Sequence, residues 1–152
     1  MKKLLITLSI ATTLTTAAFA DIKVDDKGKN KDATTTAQYQ FAFEFKNAKD
    51  VEWTVTPSQL QKATFTLDGV STAAFYNMDN EHVATTQYVD AKELPANAVS
   101  QIQKYYKGYT IGQVVKYIDA DPVYFVDLKN DKEELLISVT KDNSVGFFKQ
   151  IK

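Results

Sequence analysis

Lys62-Ala63-Thr64-Phe65-Thr66-Leu67-Asp68-Gly69 is the stretch on which the fold turns. Ala63, Phe65 and Leu67 alternate with Lys62, Thr64 and Thr66, the two-residue period of a strand with one buried and one solvated face. Asp68-Gly69 then supplies the residues of a two-residue hairpin turn. A second turn signal, Asp79-Asn80, follows 11 residues later, and Asn130-Asp131 and Asp142-Asn143 repeat that spacing. Asp68 to Asp131 and Asp79 to Asp142 are each 63 residues apart, so the hairpins are expected to be duplicated.

Outward from these turns the segments behave as strands. Val51, Trp53 and Val55 alternate ahead of the first hairpin, and Val83 to Tyr88 closes the first set. In the second half Val114, Lys116 and Ile118 stand opposite Val115 and Tyr117. Leu135, Ile137 and Val139 alternate with Glu134, Leu136 and Ser138, where Leu136 breaks the polar face, and Val145 to Ile151 closes that set. Trp53, in step with Val51 and Val55, is expected in the core. A helix should precede each set. Val99, Ile102, Tyr105 and Tyr106 recur at helical spacing after Leu94-Pro95, and Gly108 ends the run. Residues 37–46 carry two patterns at once. Tyr39, Phe41, Phe43 and Phe45 alternate like a strand, while Ala37, Phe41 and Phe45 recur every four residues. Equivalence with residues 96–106 in the repeat favours a helix. The expected class is α+β: tandem helix-plus-meander units, 37–90 and 91–152, sharing one continuous antiparallel sheet with helices on one face.

The N-terminus points to export. Met1-Lys2-Lys3 is basic, Leu4 to Ala11 is largely apolar, and Ala18-Phe19-Ala20 ends in the small residues that signal peptidase reads. The expectation is a cleaved signal over residues 1–20, with Thr12, Thr13, Thr15 and Thr16 arguing against a membrane anchor. Residues 21–36, rich in Asp, Lys, Asn and Thr, are expected to form a flexible leader, with the folded domain at 37–152. There is no cysteine, so this expected exported fold rests on packing and sheet hydrogen bonds without disulfides. The 152 residues, 44% hydrophobic and 12% aromatic, suffice for one ordinary core. Net charge is −1; loss of Lys2 and Lys3 leaves 16 Lys against 19 acids, about −3, which argues against a nucleic-acid partner.

Phe45-Lys46-Asn47-Ala48-Lys49-Asp50-Val51-Glu52-Trp53, the Ala63 to Gly69 run, Leu94-Pro95 and Tyr105-Tyr106-Lys107-Gly108-Tyr109 together resemble the PepSY-like, beta-lactamase-inhibitor-protein-like domains of exported bacterial proteins. The resemblance covers roughly residues 40–152, although Lys46 stands where many members show Pro. It implies tandem helix-plus-sheet units and a biochemical function that is unassigned for most members. In the inhibitor, a hairpin of the first repeat enters the target's active site; the matching position here is Asp68-Gly69. The inhibitor also uses disulfides, which this chain lacks, so inhibition is not inherited by default.

Motifs for catalysis are sparse. His82, the single histidine, lies beside the Asp79-Asn80 turn and is expected to be a solvated hairpin residue; no G-x-S-x-G frames a serine to partner it. A histidine or thiolate metal cluster is excluded by count. Asp119, Asp121 and Asp127 are the best oxygen ligands for calcium, yet they lack an EF-hand's glycine and terminal glutamate, and Asp121-Pro122 suits a turn. Asp131, Glu133 and Glu134, interleaved with Lys129 and Lys132, read as solvated hairpin charge. Nothing marks a sugar cleft for a carboxylate pair. The expectation is a protein that is not an enzyme, with no cofactor and no membrane anchor after signal cleavage, binding an envelope or extracellular protein through the open sheet face and hairpin tips. Asp68, Gly69, Tyr88 and Tyr117 are its candidate contacts. The alternative is a small-ligand or calcium-binding exported domain, which would need a cavity lined by tyrosines.

Overall fold

The computed structural model describes residues 33–118 and 121–152. The expected signal over 1–20, most of the leader, and Asp119 lie outside the described residues. Eight antiparallel strands follow one another in sequence order across one sheet, and the chain divides into two units, one running to Thr85 and the other from Thr86.

The first unit contains α1 (Thr35–Glu44), β1 (Lys49–Val55), β2 (Gln61–Leu67), β3 (Val70–Tyr76) and the opening residues of β4 (His82–Val89). The helical reading of the ambiguous aromatic run is the observed one, and it begins earlier than the expected boundary at 37. Thr34 is the cap: its Oγ1 accepts from the Ala37 N–H at 3.2 Å, satisfying one of the donors a helix start leaves bare. Ala33 is already buried. The strand-like alternation misleads because α1 is aromatic on both sides. Ala37 and Phe41 face inward, while Tyr39 and Phe43 are 75% and 77% exposed.

Phe41 is the hub of this core. Its ring lies 4.8 Å from Phe65, 5.2 Å from Phe45 and 5.4 Å from Trp53, the Phe65 and Trp53 contacts being edge-on, the geometry that ring quadrupoles favour. Ala63 and Ala74 are paired across β2 and β3, and their small side chains leave room for those rings. The face away from α1 is less solvated than alternation suggests. Lys62, opposite Phe75 in the ladder, is only 6% exposed and Phe75 is fully buried, so the lysine contributes its aliphatic stem to an apolar surface.

The second unit contains the rest of β4, a 3-10 turn (Ala91–Glu93), α2 (Ala96–Tyr105), β5 (Thr110–Ile118), β6 (Val123–Lys129), β7 (Glu134–Val139) and β8 (Val145–Gln150). The buried stripe of α2 is Ala98 and Ile102; Tyr105, expected within that stripe, is 66% exposed, because Tyr106 is the aromatic that turns toward the core. Ile102 packs on Val114, Val126, Leu128, Leu135, Ile137 and Val139, an aliphatic core on one face of these strands. The other face is also buried: Val115, Tyr117, Phe125 and Leu136 are all under 9% exposed, and Phe148 of β8 sets its ring edge-on 5.0 Å from Phe125.

Candidate functional site

Leu67 pairs with Val70, so only Asp68 and Gly69 make the turn between β2 and β3. Their φ angles of 50° and 83° put both in the left-handed region, as a type I′ turn requires and as Asp-Gly readily adopts. Beside this tip lies a groove of about 580 Å³ between residues 46–49 and the hairpin residues Thr66, Asp68 and Gly69. It is polar at its rim, with Lys46 and Lys49 on one wall and Asp68 on the other. Lys46 Nζ sits 5.5 Å over the exposed ring of Phe43, which adds an aromatic surface next to the lysine wall. Such a tip can offer hydrogen bonds and ion pairs to a partner.

Tyr88 and Tyr117 belong to the second unit. Val89 and Val114 pack toward α2, so Tyr88 and Tyr117, at neighbouring or odd-numbered steps along β4 and β5, point to the opposite face. Tyr88 is half-buried and Tyr117 is 8% exposed. Of the other second-half tyrosines, Tyr106, Tyr109 and Tyr124 pack against the aliphatic core on the helix side, so the open face is not the tyrosine-rich surface that their number suggested.

The solvated histidine is corrected. His82 sits in a polar chain that ties α1 to the sheet: its Nδ1 is 2.9 Å from Glu44 Oε2, and its Nε2 is 3.0 Å from the Ala84 carbonyl and 2.9 Å from Thr85 Oγ1. The ring stacks on Tyr76 with centroids 5.0 Å apart. Tyr76 in turn donates its hydroxyl to Glu44 Oε2 at 3.0 Å, and burial, then this hydrogen bond, pushes its ionisation well above the ordinary tyrosine range. Acid, imidazole and hydroxyl in line resemble a nucleophilic relay, but Thr85 is only 8% exposed and His82 Nε2 also faces a carbonyl, which gives the chain a structural role. The sequence signal for it was thin: Glu44 at the end of α1 and His82 38 residues later, with a tyrosine between.

The acidic residues scatter. Asp121 is exposed and pairs with Lys141 at 2.6 Å. Asp127 is buried in β6. Glu133 is not simply solvated, because it accepts the Tyr109 hydroxyl, a bond that raises the ionisation of that tyrosine; Glu134 is partly buried with Lys129 Nζ at 3.7 Å. Among the described residues no three acidic, histidine or cysteine side chains converge as a metal site, and no described helix is long and apolar enough to cross a membrane.

No protein-family model and no curated protein matches the chain. Solved structures do. A DUF2874 family protein from Bacteroides uniformis superposes with a TM-score of 0.71 at 14% identity, covering 78% of this chain and 90% of that one. The chain shares that fold. A BLIP-like protein from Bacteroides fragilis gives a TM-score of 0.69 at 14% identity over 84% of this chain and 92% of that one. A protein from Bacteroides eggerthii, named as a candidate periplasmic protein, gives 0.71 at 16% identity over 79% and 90%. The mixed α+β architecture and the resemblance to BLIP-like domains read from the sequence agree with these neighbours, and none of their names indicates a catalytic family.

Proposed function

We propose that the chain is a non-catalytic exported module that binds a protein of the cell envelope or its surroundings through the Asp68-Gly69 tip and the groove beside it. The observation that carries this reading is the tip itself: a tight two-residue turn next to a groove of about 580 Å³ walled by two lysines. A two-residue turn has few conformations to lose on docking, and lysines and a carboxylate at a rim set specificity and encounter rate. The BLIP-like neighbour supports it by fold alone. Tyr88, half-buried in the second unit, is a second candidate contact of the same proposal, whereas Tyr117, 8% exposed, has little surface to give. Small-ligand capture by tyrosines has less support, since the groove has no tyrosine in its lining.

Export is part of the proposal, with residues 1–20 removed as a signal and the mature chain delivered to the periplasm or beyond. The candidate periplasmic neighbour supports it, and the mass of the protein recovered from its host is expected to lack those residues. The two units are proposed to be copies of one ancestral unit.

The test is affinity capture from envelope extract with the mature chain immobilised and bound proteins identified by mass spectrometry. A partner retained by the parent chain and lost with Asp68→Asn or with Lys46→Glu plus Lys49→Glu supports the tip. A partner retained by those variants but lost with Tyr88→Ala moves the surface to the second unit. No specific partner at moderate salt removes the binding reading.

A further inference from the structure

Strand β5 carries an extra residue against β6. Ile111 pairs with Leu128 and Val114 with Val126, so Gly112 and Gln113 together face Asp127. A Cβ at Gly112 would stand 2.4 Å from Asp127 Oδ2, so the carboxyl group fills the space that the glycine leaves. The groups around it come from three strands. The Gln113 backbone N–H donates to it from β5, Lys129 lies two residues along β6, and Glu134 of β7 is close enough to hydrogen-bond with it. Lys149 of β8 stands opposite Leu136, which is itself the ladder partner of Asp127.

The inventory of donors does not balance. Asp127 is 7% exposed, and its Oδ1 and Gln113 Oε1 are both buried with no hydrogen-bond donor. Glu134 brings another acceptor-only group. Two carboxylates cannot hydrogen-bond to each other without a proton, and a bare buried carboxylate oxygen is costly. One added proton removes the conflict between the two carboxylates, because a carboxylic acid is a donor as well as an acceptor.

We propose that Asp127 is a proton latch: as the neutral acid it donates its one O–H to the Glu134 carboxylate and so clips β6 to β7 beside the β5 bulge, and its ionisation loosens that clip. The inference is independent of the partner-binding reading. Burial, then the charge of Glu134, pushes the carboxyl up to about 6, against an ordinary 3.8, while Lys129 pulls the other way. The linkage sign follows from the direction. A folded-state value above the unfolded one gives stability that is complete below the unfolded value and is lost as pH rises through the folded one. The loss falls between about pH 4 and pH 7 and amounts to a drop on the order of fiftyfold in the folding constant.

The deciding experiment is carbon-detected NMR titration of the side-chain carboxyls in the full folded chain, with urea denaturation across the same range. The Asp127 signal is expected to titrate about two units above the exposed aspartates, and Asp127→Asn is expected to remove the corresponding slope in stability. Titration of Asp127 together with the exposed aspartates overturns the proposal, and that reading stands even where the Asn variant does not fold. Glu134→Gln is expected to lower the midpoint while leaving it above the ordinary range, since burial is the larger cause; a full return to the ordinary range overturns the latch.

Discussion

Phe41 and Ile102 occupy the same place in their units, each four residues after the buried alanine, Ala37 or Ala98, that starts the inward stripe of its helix. Around them the backbone plan is alike. Ala63 and Val126, Phe65 and Leu128, Ala74 and Ile137, Tyr76 and Val139 are pairs of core residues 63 positions apart. The filling differs throughout. The first unit packs rings around one central ring and accepts a polar chain, Tyr76, Glu44 and His82, at the end of its helix. In the second unit the corresponding positions are Val139, Tyr105 and Val145; the valines are apolar, the tyrosine is exposed, and the buried carboxyl moves to Asp127 on the other face. One backbone arrangement thus tolerates either a ring core with an internal polar tie or an aliphatic core without one.

The largest way to break this comparison is at the hubs. Phe41→Ala removes a ring that touches three others and is expected to cost about 3–5 kcal/mol, while Ile102→Ala should cost about 2–4 kcal/mol because aliphatic neighbours close in more readily. Urea midpoints of the two variants check it. Equal losses would mean that the ring cluster has no special role.

Next in size is the bulge that only the second unit uses to seat a carboxyl group. Gly112→Ala drives a methyl group against Asp127 Oδ2 and is expected to destabilise by about 1–3 kcal/mol. Asp127→Ala in the same chain should recover most of that loss, since it removes the atom struck. Denaturation of the single and double variants reads the coupling.

The polar tie of the first unit comes third. Glu44→Gln keeps the shape but replaces one carboxylate that serves both Tyr76 and His82, with an expected loss of about 1–2 kcal/mol. No comparable loss is expected for Tyr105→Gln, 61 residues later, because Tyr105 is exposed.

What could be read in advance follows the same division. The strands, the turns at Asp68-Gly69 and Asp79-Asn80 and the α2 helix were legible, because alternation, left-handed turn residues and helical spacing are local signals. The start of α1 was not, because Thr34 had the composition of a leader and became a cap only through its contact with Ala37. Tyr39 and Phe43 hid the helical period by being aromatic on the exposed side. The His82 chain and the Asp127 seat were invisible for another reason. Each depends on which residues stand opposite across a ladder or helix end, and a bulge of one residue decides which side chain meets Asp127. The tip was legible as a turn, whereas its groove depends on residues 46–49 returning beside it.

The smallest expected effect on stability falls at the two hairpin tips, and there the units diverge again. Asp68 and Asp131 are 63 residues apart, but Asp68 lies in a two-residue turn, while Asp131 lies in a loop that runs from Asn130 to Glu133, where Asn130 Oδ1 accepts from the Lys132 and Glu133 N–H groups at 2.8 and 2.9 Å. Asparagine adopts the left-handed backbone of Asp68 as readily as aspartate, so Asp68→Asn should remove charge alone. Both Asp68→Asn and Asp131→Asn are therefore expected to change stability by less than about 0.5 kcal/mol. Capture of the partner should separate them: Asp68→Asn weakens it, by about 1–3 kcal/mol if the carboxylate is buried at the interface, and Asp131→Asn leaves it unchanged. Equal weakening by both would point to overall charge as the source of binding rather than to the lysine-walled groove beside the first tip.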